Sequence, residues 1–390
     1  MISVSDALSR LFELATPIAH ETVPLSRANG RVMVSPVQAE RDQPPFTSSA
    51  MDGYAMRSAD AVVGNRLTVI GEAAAGHRFD GAVKSGEAVR IFTGAPVPTD
   101  CDFVVIQEDV DRIGDHITIT DALGSGHNTR KQGADFHCGQ TVSSPRRLGP
   151  KDIALLAAMN IDRVNVARKP SVALISTGDE LVFPGETPSD DQIIASNTFG
   201  LAALIEDAGA NARILPIARD NVASLNTAFD MAVDADVIVT IGGASVGDHD
   251  LVARVAAERG VEQSFYKVAM RPGKPLMAGK IGNAAMVGLP GNPVSAMVCG
   301  VIFLVPMLRA MMGLPATAAQ RHHAALTHDI PANGPREHYM RASVSGAQVT
   351  LADQQDSALL SVLTSANALV VRPPNAGALR AGDMVEYITL

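Results

Sequence analysis

A chain of 390 residues that is 46% hydrophobic and 19% charged is long enough for two to four domains and too apolar to be disordered. With no Trp, 4% aromatic residues and a formal charge of −9, it offers neither a stacking platform for single-stranded nucleic acid nor a bulk positive field for a phosphate backbone. A small anion held by a local positive patch stays open.

Cys101, Cys138 and Cys299 are odd in number and far apart, which gives neither zinc spacing nor a disulfide framework. The opening "MISVSDALSRLF" has no basic n-region and carries Asp6, so it does not read as a signal peptide. A reducing cytoplasm is the expected setting. The apolar stretch "VSAMVCGVIFLVPMLRAMM" (294–312) is interrupted by Pro306 and loses its uncharged run at Arg309. It reads as a buried core helix and not as a membrane span.

In chain order, "SVSDALSRLFELA" (3–15) places Val4, Ala7, Leu8, Leu11 and Phe12 at helical spacing. The runs "RLTVIGEAAAG", "EAVRIFTGAPVP", "DFVVIQEDV" and "DHITIT" are short, rich in Val, Ile and Thr, and punctuated by Gly, Pro and Asp. They predict a mostly β module over about residues 46–136. "LGPKDIALLAAMNI" predicts a helix opened by Pro150.

From about residue 170, strand-like runs alternate with helical ones. "SVALISTGDEL", "ARILPIA" and "DVIVTIGG" are the strands; "SNTFGLAALIEDAGA", "NVASLNTAFDMAVDA" and "HDLVARVAAERG" are the helices. Ser196 or Asn197 is the expected cap of the first helix and Gly209 its stop. The alternation predicts a parallel, three-layered α/β domain. The last 75 or so residues return to β with "YMRASVS", "QVTLA", "NALVVRP" and "DMVEYITL", as a small barrel or sandwich would.

Charge is segregated inside the α/β part. Between Asn221 and Ala253 there is no Lys or Arg, yet Asp230, Asp234, Asp236, Asp248 and Asp250 lie there. Between Gln263 and His328 there is no Asp or Glu, yet Lys267, Arg271, Lys274, Lys280, Arg309 and Arg321 do. An acid block beside a base block suits a site for a hard cation and an oxyanion together. Ligands of α/β sheets bind beyond the carboxyl ends of the strands. The Gly-rich turns "STGDE", "IGGASVGDHD" and "GLPGNP" fall at such ends or in linking loops, where glycines admit close approach and successive N–H groups form an anion nest. None has the spacing of a Rossmann or P-loop signature.

Five segments in one order, "PPFTSSAMDGYAMRSAD" (44–60), "RIFTGAPVPTDCDFVV" (90–105), "STGDEL" (176–181), "IGGASVGDHD" (241–250) and "VAMRPGKP…GLPGNPVS" (268–295), resemble the molybdopterin molybdenumtransferase family, MoeA and its relative the gephyrin E domain. The resemblance runs over essentially the whole chain. It implies a multidomain α/β plus β fold in an elongated four-domain subunit, and a homodimer. Residues 1–45 with 137–170 would form a discontinuous linker and dimerisation domain, and 46–136 an inserted mostly-β domain. Residues 171–312 would form a three-layer α/β molybdopterin-binding domain and 313–390 a C-terminal β-barrel.

The implied reaction takes adenylylated molybdopterin and molybdate, needs Mg²⁺, and releases AMP. The resemblance implies catalytic roles for Asp52, Thr93, Glu180, Asp220 and Asp250, with Asp52, Thr93 and Asp135 reaching the cleft from the partner subunit. Glu180, Asp220, Asp250 and Asp135 are the metal candidates, with Asp248 a further acid. Gly242, Gly243, Ser245 and Gly247 would form the oxyanion nest. Lys267, Arg271 and Lys274 would contact anions, Pro290, Asn292 and Pro293 would shape the LPGNP turn, and Arg341 and Ser361 match molybdate-associated positions. Arg271 stands where relatives have Lys, Thr47 and Ser48 where they have Asp-Asn, and Ala134 where they have an acid. His322, His323 and His328 read as solvated residues of a polar inter-domain stretch. The competing expectations are a molybdopterin adenylyltransferase, a gephyrin-like scaffold without catalysis, and a paralogue using tungstate. The molybdopterin-adenylating enzyme and molybdenum apoenzymes are the expected transient partners, with no nucleic acid and no membrane.

Overall fold

The structure is a computed structural model that describes residues 1–121, 123–124, 126–242 and 251–390. Its first helix, Val4–Leu14, begins where Ser3 accepts a hydrogen bond from the Asp6 amide, a standard side-chain cap. Val4, Ala7, Leu8 and Leu11 form its buried stripe. That stripe packs into the same apolar cluster as the later α/β strands. The N-terminus is therefore tied to a sheet more than 150 residues away in sequence.

The inserted module is a sheet of six strands in the order Phe103–Ile106, Gly53–Met56, Glu87–Ile91, Arg66–Ala73, His116–Ile119, Val110–Ile113. Apolar residues cluster on both of its faces. A smaller sheet pairs His20–Pro24 with Arg163–Ala167 and encloses its own core with the helix Pro150–Ala158. Pro150 sits at the start of that helix, as expected.

The next sheet positions the candidate site. Its order is Asn211–Ile214, Ser171–Ser176, Val237–Ile241, Ala284–Leu289, Met277–Ile281, Glu262–Tyr266. The first four strands run parallel. Met277–Ile281 is antiparallel to both of its neighbours. The sheet is therefore mixed, which corrects the fully parallel expectation. The hairpin around Gly282 caused the miss, because its strands have few β-branched residues. Helices Ser196–Asp207, Pro293–Cys299 and Val305–Met311 cover one face, together with the N-terminal helix. Val222–Met231 and Leu251–Glu258 cover the other, giving three layers.

Two local expectations need correction. The helix Ser196–Asp207 is capped by Ala195 with no side-chain bond, because Asn197 turns away to donate to Gly291 O at 2.7 Å. His322 and His323 lie in the strand His322–Leu326, not in an inter-domain stretch.

Residues 293–311 are long and apolar enough to cross a membrane, but most of them are buried inside the protein. A π-helical turn, Gly300–Leu304, precedes Pro306 and the last helical segment. Such a turn lets the helix absorb a proline that cannot donate a backbone bond.

Five strands close the C-terminal barrel. Glu337–Ser345, Gln348–Leu351, His322–Leu326, Met384–Thr389 and Ala368–Arg372 follow one another, and the last pairs back to the first. Closure leaves no sheet edge open. The barrel's outer residues Tyr339, Leu369, Val371 and Ile388 pack into the α/β core. The short strand Met270–Arg271 adds parallel to Glu337–Ser345.

Candidate active site

The parallel strands end at one edge, and the predicted loops gather there. Thr177 N donates to Ile241 O at 3.1 Å, Gly178 N to Ala218 O at 3.1 Å, and Gly242 N to Leu289 O at 3.1 Å. These bonds bring the starts of the "STGDE", "ARDN", "IGG" and "LPGNP" turns together. Gly291 lies so close to Gly242 that an added Cβ would be 3.6 Å from the Gly242 Cα. Gly242 has φ +88° and lies against Thr177, a position that only glycine takes without strain.

Glu180 was expected at a strand end. The strand stops at Ser176, and Glu180 sits four residues on, exposed, just before the short strand Leu181–Val182. Across from it, Asp220 N donates to Asp179 Oδ1 at 3.2 Å, so Asp179, Glu180 and Asp220 form one acidic rim. Asp248 and Asp250, with Gly243, Ser245 and Gly247, lie outside the described residues.

The positive side of the edge comes from the segment after Glu262–Tyr266, which also ends here. Lys267 has φ +66° and its ammonium lies 4.6 Å from the centre of the Tyr266 ring. Arg271 is exposed and Lys274 half-buried, and Val268 N bonds Lys274 O at 3.0 Å to close their turn. Asn292 and Pro293 open the helix at the LPGNP turn behind the buried Pro290. Asn292 Nδ2 reaches Ser357 Oγ of the barrel at 2.9 Å.

The charge blocks of the sequence resolve differently. Asp236 forms a two-pronged pair with Arg168 at 2.8 and 3.1 Å, Asp234 pairs with Arg213, and Asp230 with Arg259. Asp236 immediately precedes the strand Val237–Ile241, which puts it at the opposite edge of the sheet. These three acids are neutralised locally and do not serve the site. Arg321 is likewise taken by Glu337 and Glu386. Lys267, Arg271 and Lys274 are the bases of the block that stand at the carboxyl edge.

Arg341 is fully buried. Its Nη2 donates to Gln354 O at 3.3 Å and Asp356 O at 2.9 Å, and its Nε and Nη1 have no partner among the described residues. Ser361 is exposed on the short helix Leu360–Ser365.

Asp52 and Thr93 meet in the inserted module. Asp52 Oδ1 accepts from both the amide and the hydroxyl of Thr93. Asp135 is exposed in the same module, with its amide on Gln43 O at 2.9 Å. The bonds of Asp52 and Thr93 stay within that module. The module also carries a cleft of about 1110 Å³, lined by Thr47, Arg78, His127, Lys131 and Gln132 among others. Burial raises the Cys101 thiol to about 12 and pushes Cys299 higher still, so neither is a ready nucleophile.

Donor chemistry at the acidic rim fits a hard divalent ion, since it offers carboxylate oxygens. No cluster of three His, Cys, Asp or Glu ligands forms among the described residues. An ion held here would rest on one or two carboxylates, substrate oxygens and water, which is how Mg²⁺ is usually bound. Thr177 Oγ1 adds a buried hydroxyl with no partner among the described residues.

Sequence reasoning missed Arg219. Its Nη1 is shared among the carbonyls of Gly178, Asp179 and Leu181. Its position directly before Asp220 was the available signal.

A three-layer domain flanked by an inserted β module and a closed barrel is an arrangement that the comparisons with known proteins assign to a transferase of molybdenum cofactor biosynthesis. The MoeA N-terminal region (domain I and II) matches residues 2–160, a probable molybdopterin binding domain matches 173–310, and the MoeA C-terminal region (domain IV) matches 323–390. A molybdopterin molybdenumtransferase of Haemophilus influenzae is 33% identical over 99% of this chain and 98% of its own length. One from a Nostoc species is 35% identical over 88% of this chain and 82% of its own. A crystal structure of the molybdopterin biosynthesis MoeA protein from Pyrococcus horikoshii superposes with a TM-score of 0.82 at 32% identity, over 100% of this chain and 99% of that one. The chain belongs to the molybdopterin molybdenumtransferase (MoeA) family.

Proposed function

We propose that this protein inserts molybdenum, delivered as molybdate, into adenylylated molybdopterin and releases AMP. The observation that supports it most is the shared carboxyl edge of one sheet, at which both the rim of Asp179, Glu180 and Asp220 and the basic turn of Lys267, Arg271 and Lys274 lie. The adenylylated substrate and molybdate are both anionic. Bringing them together costs Coulomb repulsion that fixed cations must offset.

In this reading Lys274, Arg271 and Lys267 hold the phosphate and molybdate oxygens. Gly242 and the LPGNP turn let the backbone approach them closely. Arg341, whose Nε and Nη1 have no partner among the described residues, and Ser361 would face molybdate from the barrel side. Glu180 and Asp220 are the acids of this edge that would hold Mg²⁺, with Asp250 and Asp135 as the further candidates, and the ion when bound would neutralise phosphate charge and polarise the P–O bond. Asp52 and Thr93 would complete the cleft from a second subunit of a homodimer. The adenylylating enzyme upstream and molybdenum apoenzymes downstream are its transient partners in the cytoplasm.

The test is AMP release from adenylylated molybdopterin with purified protein, omitting Mg²⁺ or molybdate in turn. Release that needs both, with a product that activates a cofactor-free molybdoenzyme, is the expected result. Glu180→Ala should lower it on the order of a hundredfold. Binding of the substrate without AMP release in any combination, tungstate included, would overturn the proposal.

A further inference from the structure

Glu180 has no side-chain hydrogen bond among the described residues, so the backbone of its turn decides where its carboxylate goes. Two features control that backbone. The first is Gly178, at φ +150°, a conformation that disfavours side chains. A Cβ there would lie 2.3 Å from Glu180 Oε2 and 2.6 Å from Oε1, so the carboxylate folds back over the space that the missing side chain leaves. The second is Arg219. Its Nη1 donates to Asp179 O and Leu181 O at 3.1 Å each and to Gly178 O at 3.4 Å. These carbonyls flank Glu180 on both sides.

Arg219 is itself fixed. Its amide donates to Ser224 Oγ at 2.9 Å, in the first turn of the helix Val222–Met231. Ser224 N in turn donates to the Asn221 cap at 2.9 Å. The chain of contacts runs from a helix N-terminus through one guanidinium to the turn that carries the acid. A guanidinium suits this task because its planar fork is pre-organised and always charged.

We propose that Arg219 is a positioning residue for the proposed metal-dependent reaction, holding the 178–181 turn so that Glu180 presents its carboxylate to the divalent ion. This rests on the function proposed above and adds a residue to it. Groups that orient a metal ligand typically cost about 10–100-fold in metal affinity or activity when removed.

The experiment measures Mn²⁺ binding to the purified protein by the EPR signal of the free ion, with AMP present to supply phosphate oxygens and without turnover, in wild type, Arg219→Met, Arg219→Lys and Gly178→Ala, each against an AMP-only blank. Arg219→Met should weaken Mn²⁺ binding by about 10-fold or more. Arg219→Lys should recover part of the loss. Gly178→Ala, with Arg219 intact, should weaken it by moving Glu180 directly. Thermal melts of the variants report folding, and if Arg219→Met does not fold, the lysine and alanine variants carry the test. In AMP release, the Mg²⁺ concentration giving half-maximal rate should rise more than the rate at saturating Mg²⁺ falls. Folded Arg219 variants that bind Mn²⁺ as wild type does would overturn the inference and leave the reaction reading standing. Wild-type protein that binds no Mn²⁺ would remove the metal reading, and this inference with it.

Discussion

Asp52 Oδ1 accepts two hydrogen bonds from Thr93, one from its amide and one from its hydroxyl, both at 2.7 Å. The residues are 41 positions apart and belong to different motifs. They meet because Gly53 opposes Ile91 in antiparallel register. The Thr93 amide first, then its hydroxyl, hold the Asp52 carboxyl below the usual range, helped by the charge of Arg90. A carboxylate held ionised suits a residue meant to face a metal or a proton donor.

Thr93→Val should raise the Asp52 pKa by removing one of those bonds. The acid limb of the pH profile for AMP release should then move to higher pH, and Thr93→Ser should restore it. A profile carried below the ordinary carboxylate range, down to about pH 3, is what reaches the limb. An acid limb unmoved in Thr93→Val would mean that Asp52 does not govern it.

Gly53 is required by contact with the neighbouring strand. A Cβ there would lie 1.9 Å from Val105 O, an atom of the paired backbone that cannot step aside. Gly53→Ala should therefore part the central strands and cost at least ~1–3 kcal/mol, the scale of overpacking. The urea midpoint of unfolding should fall, and an unchanged midpoint would contradict this reading.

His338 gives the barrel a pH-dependent stability. It is 7% exposed, and burial first, then the positive charges of Arg271, Arg341, Arg336 and Arg372, push its pKa from 6.5 down to about 4. In the unfolded chain the imidazole takes a proton below its ordinary pKa, whereas the folded protein refuses it until much lower pH. Stability is thus fully present above the unfolded value and is lost as pH falls through that window, by up to about 3 kcal/mol. His338→Phe should flatten the pH dependence of denaturant-derived stability there. A variant with the wild-type slope would assign that slope to other groups.

The architecture was legible in the sequence because its signals are local. Alternating strand and helix runs, Pro150 at a helix start, and the helical spacing of Val4, Ala7, Leu8 and Leu11 all lie within a few residues of what they determine. The strand Met277–Ile281 was missed because "MAGKI" has neither alternation nor β-branched density, and its place depends on pairing with Ala284–Leu289. The site was legible as motifs but not as charge bookkeeping. Asp230, Asp234 and Asp236 looked like ligands and are consumed by Arg259, Arg213 and Arg168, partners at sequence distances that no spacing reveals. Arg219 escaped because its acceptors are backbone carbonyls about 40 residues away, and only its place beside Asp220 pointed to it.

Arg341 and Ser361 separate a structural from a ligand-contacting role. The Arg341 side chain serves Gln354 O and Asp356 O, and Gln355 Nε2 bonds the Arg341 carbonyl at 2.9 Å. The next residue, Ser357, seats the LPGNP turn through Asn292. Arg341→Ala would remove the bonds to the part-buried carbonyls of Gln354 and Asp356, which costs about 1 kcal/mol, and it should loosen that seat as well as weaken oxyanion binding. Ser361 is exposed, and the bond its carbonyl accepts from Ser365 Oγ at 3.1 Å does not involve its hydroxyl. Ser361→Ala should therefore leave the thermal midpoint unchanged while raising the molybdate concentration that gives half-maximal AMP release. Paired melting and molybdate titrations of the two variants check this. If Arg341→Ala kept full stability, the loop would be held without it, by Gln355 and the Asn292–Ser357 bond, and Arg341 would be left with the ligand role only. If Ser361→Ala left the molybdate requirement unchanged, the oxyanion would not reach the exposed end of that helix.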